Sequence, residues 1–362
     1  MKILLLRANP RKSGYTEYVT NLVLEGVRAA GATVVDIDLT TRHIAHCLGC
    51  YHCWLATPGR CVHNDDMTPL LESVLDAELV LCATPLFHYS MSSYLKLFME
   101  RTLPLTMEGF ELTPSGRMRN RTRYPGRWNK KHLAWIAAGA FRSPDNFAGL
   151  ETSFRLLAEG MNMVCAGGVI RPETYLLRFT LAKPKTVKKI ECALVQAGHE
   201  LVTTGRISEQ TRSAAATPLS PDMANFQVYS NIFWEHACSL GSGRMDLDKI
   251  LDMVVSDVRV LMREMARCVD PAATGRSVFS LQFDFTDNDL HFNLHVNHGT
   301  CTLTEGQKVQ SDLRVTTTSG TWAGVFTRTV NVRDALMSGA IRLDGDKSLF
   351  LRLDRYFPPP VQ

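Results

Sequence analysis

The chain has 362 residues, 45% hydrophobic and 21% charged, with a net charge of +4. That is the composition of an ordered globular protein long enough for two cores, and it excludes disordered and fibrous classes. Basic residues are dispersed apart from 117–131, so no basic–aromatic stripe points to nucleic acid. No apolar run reaches membrane-spanning length, and the N-terminus reads as a strand and loop, not as a signal peptide. Ten cysteines are many, yet four fall between Cys47 and Cys61, which is not the spacing of a disulfide framework. A reduced, cytoplasmic protein is expected.

In chain order, Ile3 to Leu6 is an apolar run suited to a strand buried on both faces. The polar loop Asn9-Pro10-Arg11-Lys12-Ser13-Gly14-Tyr15-Thr16 follows, and then Val19, Leu22, Val23, Gly26 and Val27 at helical spacing. Thr33 to Ile37 reads as a second strand, Thr40 to Asp66 as a long irregular excursion, and Met67 to Leu75 as a short helix. Glu78 to Thr84 is a third strand; Pro85 breaks the chain, and Ser90 is the expected cap of a helix through Arg101. His132 to Ala138 and Met163 to Ile170 complete five strands, with helices predicted over Phe147 to Met161 and Lys185 to Thr203. Strands alternating with helices predict a doubly wound parallel sheet, whose ligands sit at the C-terminal strand ends beside the switch point. The loops Asn9–Thr16, Thr84–Met91 and Ala138–Phe141 all fall there.

Beyond Gly205 the composition changes. Ser213 to Asp222 reads as a linker and Asn225 to Cys238 as a bridging helix. Met245 to Cys268 has the apolar period of one helix, and Phe279–Phe285 with Leu290–Val296 alternate as a hairpin about Asp287-Asn288-Asp289. Asp312 to Thr317 is expected as a third strand, followed by helices around Trp322 and Val332 to Met337.

The first loop joins a strand to a helix N-terminus, where unpaired N–H groups and the helix dipole favour an anion. Asn9, Ser13 and Thr16 can add donors there, Arg11 a charge, and Gly14 close backbone approach. Together with Tyr15, this loop resembles the Gly-Ser-Pro-Arg-Lys-x-Gly-x-Thr phosphate loop of the flavodoxin-like NAD(P)H-dependent flavin mononucleotide (FMN) reductases. Ala8-Asn9 stands in place of its Gly-Ser. Thr84-Pro85-Leu86-Phe87-His88-Tyr89-Ser90-Met91-Ser92 resembles the same family's segment lining the ribityl chain and isoalloxazine ring, and Leu95-Lys96 with Glu100-Arg101 also matches. Gly139-Ala140-Phe141 fits its second ring-contacting loop. The resemblance implies bound FMN, NAD(P)H as co-substrate and a homo-oligomer. The competing reading is that Phe87, Met91 and Phe141 are ordinary core.

Cys47, Cys50, Cys53 and Cys61 carry three thiols at two-residue spacing and a fourth from the loop, enough to hold an iron–sulfur cubane. With Asn64-Asp65-Asp66-Met67 they resemble the compact motif of the iron–sulfur flavoproteins, which implies a [4Fe-4S] cluster. Zinc, or a packed structural loop with vestigial thiols, are the alternatives. His43, His46 and His88 lie near these loops and are assigned no role.

The C-terminal part resembles the sterol-carrier-protein type domain across residues 245–355, most specifically in Met337-Ser338-Gly339 and Gly345-Asp346. That resemblance implies a sheet and helices around a tunnel for a fatty acyl or sterol-like ligand.

The sequence thus predicts a flavodoxin-like FMN-binding domain over residues 1–208 with a five-stranded parallel sheet. A linker and bridging helix over 209–243 and an α+β lipid-binding domain over 244–356 follow. The expected activity is hydride transfer from NAD(P)H to FMN and onward to a small-molecule acceptor such as a quinone or flavin. An electron carrier serving a protein partner, and a lipid carrier with a scaffold flavodoxin domain, are the alternatives.

Overall fold

A computed structural model describes residues 1–128, 130–178, 184–241, 243, 245–306 and 308–358. The chain forms two compact units, one built from residues 1–177 and 185–219 and the other chiefly from residue 220 onward. The first unit contains strands β1 (Lys2–Arg7), β2 (Thr33–Asp38), β3 (Leu79–Pro85), β4 (Thr106–Leu112), β5 (Met118–Thr122), β6 (His132–Ala138) and β7 (Val164–Arg171). Five of them make a parallel sheet in the order β2-β1-β3-β6-β7, the flavodoxin-like doubly wound topology. Helices cover both of its faces, so Ile3, Leu4, Leu5 and Leu6 are all buried and the run needs no alternation.

Helix α1 (Tyr15–Ala29) buries Val19, Val23 and Val27 and crosses the helix Pro184–Thr203 at paired glycines. A Cβ on Gly26 would stand 1.8 Å from the Val195 carbonyl oxygen, and one on Gly198 would stand 1.9 Å from that of Val23. The two backbones therefore touch, a closeness open only to residues without a side chain.

Several sequence expectations are corrected. Residues 209–219 are not linker: Glu209–Ala215 is a helix capped by Ser208, and the segment to Leu219 is part of the first unit. The bridging helix spans Met223–Ser239 and lies in the second unit. The cap before the helix Ser93–Glu100 is Ser92, not Ser90. The period running through 245–268 is two helices, Leu247–Val255 and Val258–Arg267. Asp257 breaks it, because its carboxylate accepts from the Arg259 N–H and starts a new helix. The hairpin β4–β5 was not expected, since its apolar residues Phe110, Leu112 and Met118 face solvent and leave no period.

The second unit is an α+β region. Its strands β8 (Val278–Phe285), β9 (Leu290–Asn297), β10 (Thr300–Glu305), β11 (Leu313–Thr317) and β12 (Arg342–Gly345) pair in the order β10-β9-β8-β11-β12. The hairpin β8–β9 forms in the expected register, Phe283 opposite Phe292 and Leu281 opposite Leu294. Strand β10 is an edge strand rich in threonine, which hides it from a search for apolar alternation. The start of the expected C-terminal domain, residue 244, lies outside the described residues.

Candidate functional site

Three loops leave the C-terminal ends of β1, β3 and β6, where the strand order reverses. The strand ends are braced to one another. Ala8 N–H donates to Ala83, Leu86 N–H to Ala138 and Gly139 N–H to Arg171. Thr84 Oγ1 accepts from Ser92 N–H at 2.9 Å, and Ser92 Oγ donates to the Ala8 carbonyl at 2.7 Å. The hydroxyls of Thr84 and Ser92 are thus engaged by the protein, which is also why Ser92 caps its helix without a side-chain bond.

In the first loop, Gly14 is the N-cap of α1 and offers no side-chain acceptor, leaving the helix dipole end open. Arg11 and Ser13 are exposed, while Tyr15 and Thr16 are buried; Tyr15 Oη donates to the Tyr175 carbonyl at 3.1 Å. Asn9 departs from its expected role. Its Nδ2 donates inward, to the Arg11 carbonyl at 3.3 Å and Glu17 Oε2 at 2.9 Å. Both partners are acceptors, so the amide orientation is determined and Oδ1 is left buried without a partner among the described residues. Asn9 therefore offers an acceptor to a ligand, not a donor. Below the loop, buried Arg7 pairs with Glu17 at 2.7 Å and Asp36 at 2.9 Å, a network that no motif announced. Burial opposes the Arg7 charge, but the two carboxylates outweigh it and raise its pKa.

In the second loop, Phe87 and Ser90 exchange two backbone hydrogen bonds of 2.9 Å around His88 and Tyr89. Both turn residues are left-handed, with φ of 44° and 63°. Such two-residue turns favour Asn and Gly, and holding His and Tyr there costs on the order of 1 kcal/mol or more each. The turn projects Phe87 and Tyr89 into solvent while Met91 packs on the core. Tyr89 stacks on Phe141 of the third loop, with ring centroids 5.6 Å apart and planes 7° from parallel. Gly139 is closed in by Leu86 and Phe147, where a Cβ would meet Phe147 at 2.9 Å, and Ala140 is exposed. Phe87 and Phe141 are thus surface rings and not core. Tyr89 completes the aromatic face, and only its place in the loop could have signalled it.

Behind the third loop lies a buried pair. Arg171 donates to the carbonyls of Ala215 and Thr217, each at 2.8 Å, and Glu173 accepts from Leu219 N–H. Burial lowers the Arg171 pKa to about 10 despite Glu173 nearby at 3.9 Å.

Cys47, Cys50, Cys53 and Cys61 line one pocket together with Arg101. Left-handed Gly49 (φ 61°) and Tyr51 (φ 53°) wrap the chain around it. Burial, followed by the neighbouring Cys61, Cys47 and Cys50, raises the Cys53 pKa. Among the described residues no three His, Cys, Asp or Glu side chains converge as for one metal ion. A zinc site would need thiolates about 2.3 Å from a single point, whereas a cubane spreads its four ligands more widely. The loop is closed by buried Asp65, which accepts from Ala45 N–H, Met67 N–H and both Nη atoms of Arg101.

Burial works against the Asp65 charge, but Arg101 and the two amides hold its pKa down at about 2. A folded-state pKa below the unfolded value stabilises above about pH 4, and that contribution fades as the pH falls towards 2. It amounts to about 2–3 kcal/mol at neutral pH. Urea denaturation at about pH 5 and pH 2 should therefore show a smaller acid loss in Asp65→Asn than in wild type. Equal losses in both would refute the assignment.

In the second unit a cleft of about 630 Å³ is lined by Met265, Trp322, Phe326, Leu336, Phe350 and Phe357, with Arg328 and Arg333 also on its wall. The Trp322 indole N–H is buried there without a partner among the described residues.

Residues 1–168 match the NADPH-dependent FMN reductase family. An iron–sulfur flavoprotein of Archaeoglobus fulgidus is 29% identical over 104 residues, 29% of this chain and 46% of that protein. Another, from Methanocaldococcus jannaschii, is 31% identical over 101 residues, 28% of this chain and 50% of that protein. The chain thus spans about half the length of these curated relatives. An NAD(P)H:quinone oxidoreductase from Methanothermobacter marburgensis superposes at a TM-score of 0.42 with 14% identity, covering 56% of this chain and 98% of that one. Residues 246–360 match the alkyl sulfatase C-terminal family. That match gives the second unit a different name from the expected sterol-carrier type, which it does not support.

No helix among the described residues is long and apolar enough to cross a membrane.

Proposed function

We propose that the protein is an FMN-dependent NAD(P)H oxidoreductase whose flavin occupies the three loops at the ends of β1, β3 and β6. The observation that carries this reading is the buried, partnerless Asn9 Oδ1 beside an uncapped helix N-terminus. A phosphorylated ligand rich in hydroxyl groups supplies what each lacks: an anion for the dipole and a donor for the amide oxygen. The N–H groups of the first turn and Arg11 hold the phosphate, Asn9 accepts from a ribityl hydroxyl, and Phe87, Tyr89 and Phe141 cover the ring. When bound, FMN takes hydride from NAD(P)H and returns electrons to an acceptor, chemistry that belongs to the cofactor. The residues bind, orient and shield it. The acceptor in this reading is a small molecule such as a quinone or a flavin, and the protein is a cytoplasmic homo-oligomer. The four cysteines would hold a [4Fe-4S] cluster; four cysteines lining one pocket with the buried Arg101 cation fit an anionic cluster.

An anaerobic absorbance spectrum with iron and sulfide assays on the same sample tests both cofactors. Flavin bands with a dithionite-bleachable shoulder, iron, sulfide and NAD(P)H oxidation on adding a quinone are expected. Colourless folded protein that takes up no FMN would overturn the reading. Flavin and cluster without NAD(P)H oxidation would favour an electron carrier for a protein partner.

A second reading concerns the C-terminal cleft. Its volume and apolar lining suit a fatty acyl or sterol-like ligand, and the partnerless Trp322 N–H offers one donor to a polar end. A fluorescent fatty acid should bind wild type and lose affinity about fivefold or more in Leu336→Glu. Absence of binding by every acyl and sterol probe removes this reading and leaves the flavin reading intact.

A further inference from the structure

We infer that Arg101 is a hydrogen-bond donor to the iron–sulfur cluster and sets its reduction potential, an inference that rests on the cluster reading above. The guanidinium is 1% exposed and lines the four-cysteine pocket. Two of its three nitrogens are engaged by the protein: Nη1 with the Ala45 carbonyl at 2.6 Å and Asp65 at 2.7 Å, and Nη2 with Asp65 at 3.1 Å. The third, Nε, is buried and makes no hydrogen bond among the described residues.

A buried cation that leaves an N–H unused is costly unless something anionic faces it. The fork is rigid, so the bidentate hold of Asp65 determines where the Nε–H can point. Asp65 in turn is held by the Ala45 and Met67 amides at the two ends of the cysteine loop. Donor and cysteines are thus locked to one frame, and the donor is oriented before any cluster arrives.

A four-thiolate cluster is an anion and becomes more negative when it accepts an electron. A hydrogen bond to its sulfur and a nearby buried cation stabilise the reduced form more than the oxidised form. Reduction adds one electron and transfers no proton from Arg101, whose pKa lies far above neutrality.

The competing role is purely structural, a staple that closes the loop. Two variants separate them in the full-length, anaerobically reconstituted protein. Arg101→Lys keeps the charge and loses the fork, and Arg101→Met with Asp65→Asn removes the pair without stranding a buried carboxylate. Iron, sulfide and the midpoint potential, from a dithionite titration followed by electron paramagnetic resonance, are read on each. Variants holding wild-type iron and sulfide should be harder to reduce by about tenfold in the one-electron equilibrium, or about 59 mV. Unchanged potentials in loaded variants would overturn the inference. So would loss of iron from both variants, which would make Arg101 a staple. Wild type that takes up no iron would instead bring down the cluster reading itself, before any variant is compared.

Discussion

Replacing Arg171 with methionine should lower the stability of the first unit by about 3–5 kcal/mol, the range for removing one member of a buried ion pair. Both side chains are wholly buried, so neither can exchange its partner for water. The loss is more than electrostatic: the carbonyls of Ala215 and Thr217 would forfeit their donor in a place closed to solvent. Glu173 would keep Arg142 at 3.5 Å and the Leu219 amide, so part of the network survives. Thermal unfolding should shift down by about 6–20 °C, at about 2–4 °C per kcal/mol for a domain of this size. The site should respond as well. Gly139 N–H donates to the Arg171 carbonyl, Glu173 N–H to Phe141 and Thr174 N–H to Gly139, so the aromatic loop hangs on the backbone of this pair. FMN affinity measured by flavin fluorescence should fall with stability. A variant that melts within about 2 °C of wild type would show that the buried pair is not what holds residues 215–219.

Gly26→Ala should have the next largest effect, at least about 3 kcal/mol, the top of the usual overpacking range. Added methyl groups are tolerated where a flexible side chain can give way. Here the obstruction is the Val195 carbonyl oxygen at 1.8 Å, with the His199 amide nitrogen at 2.9 Å. Both belong to the backbone of a 20-residue helix, so that helix must move as a body or the crossing must open. The usual advantage of alanine over glycine inside a helix, about 1 kcal/mol, is too small to offset this. Chemical denaturation should show a lowered midpoint with an unchanged slope. Gly160→Ala, where a Cβ would meet nothing within 4 Å, is the matched control and should be neutral or stabilising. Equal stabilities for the two variants would mean that the helices do not cross at these glycines.

The doubly wound sheet was legible in the chain because its central strands carry unbroken apolar runs, Ile3 to Leu6 and Leu79 to Ala83 above all. Burial on both faces writes itself into composition, and the alternation of β8 and β9 does the same for a half-buried pair. The three loops of the proposed site followed from topology alone, since they must leave the same end of a parallel sheet. The four cysteines were visible as spacing.

Side-chain direction could not be read in this way. Asn9 presents an acceptor because Glu17 and the Arg11 carbonyl draw its amide nitrogen inward, and Thr84 is withdrawn from ligands by Ser92. Phe87 and Tyr89 are surface rings because two left-handed residues turn the chain outward. Each outcome depends on a partner chosen after folding, among several that the local sequence would allow equally well. The same holds for Arg171 with residues 215–219, and for Arg101 with Asp65, which lie 36 positions apart. Apolar periodicity reports which face is buried, and so the sequence by itself determined the two architectures and the end of the sheet where the proposed site lies. Hydrogen-bond pairing reports who faces whom across distant segments, and that only the tertiary structure decided.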